Sequence, residues 1–370
     1  MAEIVKAFAP GRTELAGNHT DHQGGRVIAA AVDCGVEVEL LPNETYTARL
    51  SSDGFAPVEL DTRDLAPRES ERGTTAALVR GVIAALDARG VDVPGFSART
   101  TSTVPPGSGL SSSGAFELAL AQAIVEASGA APLGAVELAK VGQSAERDYF
   151  GKPCGLMDQL AVALGAIAAI DFAEEEPKVE RIRFDFAAHG LALCLIDTHC
   201  DHSLYTDEYA QVALDMFAVA EQLGAEKLSQ VPEGAFLERI GEVRSALGDL
   251  PAMRALHYYR ENRLVDERAE ALRAGDVEWF LECTRRSAAS SASYLQNVST
   301  SDRRSQPAMF ALALADTLLE GEGAARIHGG GFGGTIQAFV PHDRLAAFTS
   351  AIDAELGTGS CRTYNICKGD

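Results

Sequence analysis

Ten residues, Pro105-Pro106-Gly107-Ser108-Gly109-Leu110-Ser111-Ser112-Ser113-Gly114, run directly into an apolar stretch of helical period that begins at Ser113. Glycines let a backbone approach a ligand closely, three consecutive hydroxyls can donate hydrogen bonds or ligate Mg²⁺, and a helix N-terminus offers unpaired N–H groups with a positive dipole end. That set is a phosphate cradle. Spacing alone leaves it equally an ordinary Ser-capped helix after a flexible loop. It is not a Walker A loop: before the only Gly-Lys pair, Gly151-Lys152, Glu146 stands where the first glycine should be, and Pro153 follows.

Two further segments concentrate polar chemistry. Arg12 to Gly25, RTELAGNHTDHQGG, sets Arg12, Asn18, His19, Asp21 and His22 between glycines, a density of donors and acceptors suited to a polyhydroxylated ligand or equally to a solvated loop. Asp158, in Cys154-Gly155-Leu156-Met157-Asp158-Gln159, puts one carboxylate at the start of an otherwise apolar helix, as a cap or as an acid in a dry pocket. His19-x-x-His22 and His199-x-x-His202 admit a transition-metal reading, but the i, i+4 helical pair of zinc hydrolases is absent. A second glycine-rich loop, His328 to Gly334, satisfies G-x-G-x-x-G. The pattern places a helix before it and a strand after it, the reverse of the dinucleotide-binding order, so we reject that reading.

The elements that must carry these residues are partly legible. Residues 26–41, 46–50 and 57–60 read as successive strands, 76–88 as a helix and 96–103 as a strand. Helices then fit 113–127, 133–149 and 155–164. The acidic stretch 173–183 reads as a turn or an exposed strand start and as the candidate domain junction, with a solvated hairpin as the alternative. A strand at 191–197, amphipathic helices to Glu320, a Gly-rich turn and a strand at 335–340 complete the chain. Strands grouped with helices, without regular β-α-β alternation, argue for α+β.

Composition narrows the partners. With 370 residues, 46% hydrophobic and 23% charged, the chain is an ordinary globular one with room for two domains. Its 53 acidic against 32 basic residues leave −21, which argues against nucleic acid or an anionic membrane face as the main partner. Seven scattered cysteines without a C-x-x-C point to a reducing cytoplasmic setting. The longest apolar run, 160–170, is too short to cross a bilayer, and no signal-peptide pattern opens the sequence.

Three segments match, in order, the signatures of the GHMP small-molecule kinases, and the first is similar to that of the galactokinase family. APGRTELAGNHTDHQGG resembles its G-R-V-N-L-I-G-E-H-T-D-Y-N-G-G signature, PPGSGLSSSGAFELAL the nucleotide-phosphate loop, and HGGGFGG the third motif. AERDYFGKPCGLMDQL and HSLYTDEYA also look like galactokinase segments. The resemblance implies a two-domain fold, with a ribosomal-S5-like domain at 1–180 and a ferredoxin-like domain at 181–370. It implies ATP-dependent phosphorylation of a sugar at its anomeric hydroxyl, galactose first, with galacturonate, N-acetylgalactosamine or arabinose, or a non-catalytic sugar sensor, as alternatives.

Position by position, the resemblance implies Asp158 as the acid near the sugar's C1 hydroxyl with Arg12 beside it, and Ser112 and Glu146 as Mg²⁺ ligands. It implies Asn18, His19, Asp21, Gly155 and Tyr209 as sugar contacts, and residues Pro106 to Gly114 as the ATP loop. The expected partner is a small-molecule sugar, with no nucleic acid and no membrane, and the expected state a monomer or weak homo-oligomer. Four departures stand out: Asn18 where the family usually has Glu, His22 for Tyr, no paired arginines after Tyr209, and Asp201 at a commonly basic place.

Overall fold

The computed structural model describes residues 3–105, 107–200 and 205–368. They divide into two compact units, though not by a single cut near residue 180: one is Met1–Arg12, Ala31–Pro106 and Leu110–Gly165, the other Thr13–Ala30, Gly107–Gly109 and Ala166–Asp370. The reason lies in β-pairing. The first residues of one long strand pair with a strand of the second unit, and its later residues with a strand of the first.

The first unit takes its strands from β1 (Val5–Ala16), β2 (Arg26–Asn43), β3 (Thr47–Ser52), β4 (Val58–Asp61) and, after helix α1 (Thr75–Asp87), β5 (Gly95–Ser102). β5 lies between β2, antiparallel, and β3, parallel, and β4 pairs with β3. From Val36 onward β2 alternates, with Val36, Val38 and Leu40 buried and Glu37 and Leu41 exposed, the pattern of a half-covered sheet. Helices α2 (Ser112–Ser128), α3 (Ala135–Ser144) and α4 (Met157–Leu164) join α1 over that face. Helix α2 is buried on almost every side from Gly114 to Val125, as an all-round apolar helix must be. Fixed this way, its N-terminus cannot wander. Strand β1 is absent from the sequence reading because Pro10, Gly11 and the polar motif break any alternation.

The second unit adds the hairpin β6 (Ala168–Asp171) and β7 (Lys178–Arg181), so the acidic stretch is a hairpin turn and strand and not a domain junction. A four-stranded antiparallel sheet follows, in the order β11-β8-β10-β9: β8 (Leu191–Asp197), β9 (Ala324–His328), β10 (Thr335–Pro341) and β11 (Cys361–Tyr364). Helices α5 (Thr206–Gln222), α6 (Glu233–Leu247), α7 (Asp249–Ala274), α8 (Val277–Ser290), α9 (Pro307–Leu319) and α10 (Leu345–Leu356) complete it. Ile196, Ile327, Ile336 and Val340 pack with Ala308, Ala315 and Leu319 of α9 and Phe348 and Ile352 of α10. The Gly-rich motif at 328–334 is thus a strand-to-strand turn between β9 and β10, preceded by a strand where the sequence pattern suggests a helix. None of the seven cysteines is joined in a disulfide, and among the described residues no helix is long and apolar enough to cross a membrane.

Candidate active site

The Gly/Ser loop is shaped by backbone that few side chains tolerate. Gly107 (φ 72°), Gly109 (φ 70°) and Ser111 (φ 57°) are left-handed, while Leu110 between them is buried as an anchor. The Leu110 carbonyl accepts the Arg12 N–H at 3.0 Å, and a Cβ on Gly11 would meet that carbonyl oxygen at 3.0 Å. A side chain at residue 11 would press on the loop at this point. Ser111 precedes α2 without capping it through its side chain, so the hydroxyl is free for other use and the helix N-terminus keeps the open N–H groups an anion needs. Pro106 lies outside the described residues.

That hydroxyl goes to Asp158. Ser111 Oγ donates to Asp158 Oδ2 at 3.2 Å, and the Arg12 guanidinium grips both carboxylate oxygens, Nε to Oδ1 at 2.8 Å and Nη2 to Oδ2 at 2.6 Å. Burial works against the charge, but Arg12, aided by Lys152 and Ser111, outweighs it and holds the Asp158 carboxyl below its ordinary range. The Asp158 side chain keeps 27% of its surface exposed against 9% for Arg12. It is a fixed anion with one open side. Gly155 is exposed in the loop just before α4, three residues from it.

Glu146 sits nearby in the chain on an unusual element. After α3 the helix widens into one π-helical turn, Ala145–Phe150, and both Gly151 and Lys152 N–H groups close onto the Glu146 carbonyl. The Glu146 side chain is buried, with Oε1 taking Ser113 Oγ and Lys152 Nζ, each at 2.9 Å, and Oε2 taking Gln159 Nε2 at 2.7 Å. Gln159 also reaches Glu117 Oε2 at 3.3 Å, whose carboxyl is pushed well above its ordinary range by burial and by Glu146. Ser112, expected with Glu146 as a Mg²⁺ ligand, is exposed, and the hydroxyl that donates to Glu146 is Ser113, one residue on. The helical turn of 100° per residue decides between neighbours.

In the second unit the signature segment is buried throughout residues 13–20. Asn18 turns its amide inward: Nδ2 donates to Gly329 O at 2.7 Å, and Oδ1 accepts from Asn297 Nδ2 at 2.8 Å and Ser291 Oγ at 3.3 Å. A carboxylate could accept from Asn297 but not donate to Gly329, so this surrounding selects an amide. His19, left-handed at φ 57°, donates from Nε2 to Gly330 O at 3.0 Å, which leaves Nδ1 as an acceptor. Burial pulls its pKa down to about 3, so the ring is neutral at physiological pH. The half-exposed Tyr209 ring lies 5.5 Å from it and against Gly330, where a Cβ would stand 2.3 Å from the ring. Asp21 is half-buried in the short turn that follows.

His328 Nε2 meets Thr13 Oγ1 at 3.0 Å, Gln337 Nε2 donates to the same hydroxyl at 2.7 Å, and Thr335 Oγ1 lies 3.5 Å from Ser108 O. His328, at the head of the third motif, and Gln337 of β10 therefore brace residue 13, and Thr335 just past the motif reaches residue 108, roles spacing does not disclose. Lys152 and Gln159 are further residues the sequence reading missed; their neighbours Glu146 and Asp158 were the available signal. Asp201 and His202 lie outside the described residues, and among those described no three His, Cys, Asp or Glu side chains gather as a metal cluster.

Residues 2–40 match the family described as the galactokinase galactose-binding signature, and 77–166 the GHMP kinases N-terminal domain. A galactokinase of Actinobacillus pleuropneumoniae serotype 5b is 31% identical over 97% of this chain and 92% of its own length. The chain belongs to the galactokinase family. One from Streptomyces coelicolor is 34% identical over 93% of this chain and 87% of that one. The crystal structure of Lactococcus lactis galactokinase complexed with galactose superposes with a TM-score of 0.83, at 25% identity, covering 99% and 94% of the two chains. A mevalonate kinase from Methanococcus jannaschii, at 16% identity and TM-score 0.68 over 99% and 98%, shares the fold. As a galactokinase-family GHMP kinase, the protein is a two-domain α+β phosphotransferase that uses ATP on a sugar hydroxyl. Mg²⁺ fits the donor set: a buried carboxylate and a hydroxyl 2.9 Å apart are the hard oxygens this ion takes alongside phosphate.

Proposed function

We propose that the protein transfers the γ-phosphoryl group of ATP to the anomeric hydroxyl of galactose, with Asp158 gripping the attacking oxygen. The observation that carries this is the shared carboxylate: Asp158 is held by Arg12 on one side and by Ser111 of the Gly/Ser loop on the other, which ties the acceptor's acid to the phosphate cradle. In the reaction the C1 oxygen bonds to Pγ, the bond from Pγ to the ADP oxygen breaks, and the hydroxyl proton passes to Asp158. A loose phosphoryl transfer needs its nucleophile aimed more than stripped of its proton. An acid held below its ordinary range by Arg12 suits aiming first and accepting the proton late.

Residues 107–114 and the α2 N-terminus cradle the phosphates. Glu146 and Ser113 would hold Mg²⁺, which supplies charge neutralisation on the phosphoryl oxygens. Ser113 takes this role in place of Ser112 because it is the hydroxyl on Glu146. His19, through Nδ1, with Asp21, Gly155 and Tyr209, would receive the sugar hydroxyls, while the Asn18 amide, spent on Gly329 and Asn297, sets the loop that presents them. The test is ADP release over galactose, galacturonate, N-acetylgalactosamine and arabinose with MgATP, followed by locating the phosphate. Galactose turned over best and modified at C1 is the expected result; phosphate on C6 would overturn the assignment of Asp158.

A further inference from the structure

Behind residues 14–19 lies a set of buried titratable side chains to which none of the roles above has been given. Three come from one face of α7: His257, Glu261 and Arg268, at intervals of four and seven, each with no exposed surface. His257 Nε2 donates to Asn18 O at 3.0 Å, while Nδ1 faces Ser290 Oγ at 2.9 Å. Glu261 Oε1 accepts from the Gly17 N–H at 3.2 Å and from Ser287 Oγ at 2.8 Å. Arg268 Nη1 donates to Leu15 O at 2.8 Å and stands 3.9 Å from the Glu261 carboxylate. From β9, Arg326 pairs with Glu14 at 2.6 Å. Burial opposes the charge on Glu261, yet Arg268, His257 and Arg326 hold its carboxyl below the ordinary range.

Apolar side chains of similar volume would fill this space at less desolvation cost. What they would not supply is directed bonds to the backbone of an irregular segment. That segment needs them: Gly17 (φ 99°) and His19 (φ 57°) are both left-handed, and a β-carbon-bearing residue keeps that conformation only where its surroundings over-determine it. The bonds land on Leu15, Gly17 and Asn18, the residues leading directly to His19.

We propose that His257, Glu261 and Arg268 are positioning residues for the sugar-binding segment, fixing the backbone of 15–18 so that His19 presents Nδ1 to the substrate. This rests on His19 as a sugar contact. Four proteins test it together: wild type, His19→Ala, Glu261→Gln and Ser287→Ala, the last removing one bond from Glu261 while leaving every charge in place. Galactose KM, ATP KM, kcat, galactose binding by calorimetry and thermal unfolding are measured for each. Glu261→Gln should raise the galactose KM and binding constant about tenfold or more, and Ser287→Ala about threefold, the scale of a lost or loosened bond to a charged group, with ATP KM moved less than about twofold. If Glu261→Gln does not fold, Ser287→Ala decides. Lower thermal stability in both with unchanged galactose KM and binding would overturn the proposal, leaving a purely structural network. Unchanged galactose binding in His19→Ala would instead sink the sugar-contact reading.

Discussion

Asp158 and Glu261 are two carboxylates facing arginines, each held below its ordinary pKa range against the pull of burial. Their settings diverge in one respect. Asp158 takes Arg12 and Ser111 on one side and keeps 27% of its side chain open, whereas Glu261 has no exposed surface and takes Gly17, Ser287 and Arg268 on its Oε1. One ion-pairing principle thus yields a group able to meet a substrate where a side is left open, and a brace where none is. The helix and loop partners decide which, not the residue type.

The largest effect expected separates brace from reagent. Arg326→Met would strand the buried Glu14 carboxylate, already pushed upward by burial, and should cost about 3–5 kcal/mol in urea unfolding, the range for breaking a buried pair from one side. Asp158→Asn should weigh the other way: a stability loss smaller than that of Arg326→Met, because the amide oxygen still accepts from Arg12, with kcat down about 10²-fold or more, the loss of a positioned base. A large stability loss there would erase the distinction drawn between the two carboxylates.

Arg12→Met probes the electrostatics. Because Asp158 sits below its ordinary value of 3.8, the stability its charge lends is complete above that pH and fades as pH falls through the lower folded value. Without Arg12 the acidic limb of kcat against pH should move upward, and a limb that stays in place would show that Arg12 does not set the charge. The smallest contrast lies within the loop. Ser113→Ala should raise the Mg²⁺ requirement about tenfold and Ser112→Ala less than about twofold if Glu146 and Ser113 hold the ion as proposed, read from MgCl₂ titrations of activity.

The two regions were unequally legible. Asp158 stands out as a lone acid in an apolar helix, and the Gly/Ser loop by its composition, while spacing left a cap and a Ser-capped helix open for them. Which serine of 111–113 reaches Glu146 depends on helix rotation, which a run of three identical residues hides. The α7 charges were invisible because a helix rich in Arg and Glu reads as solvated; the available clue was that His257, Glu261 and Arg268 share a stripe with Leu264, Val265 and Leu272. The division into units was misread because β2 looks like one strand and serves two sets of partners.

The widened turn at Ala145–Phe150 has an evolutionary corollary. One residue lost there would restore ordinary winding and leave the helix on either side facing nearly as before, while Glu146, inside the turn, would rotate away from Ser113. A lineage could therefore retire catalysis through a single-codon deletion while every signature motif stayed intact, and motif searches would go on counting such a descendant as an active kinase.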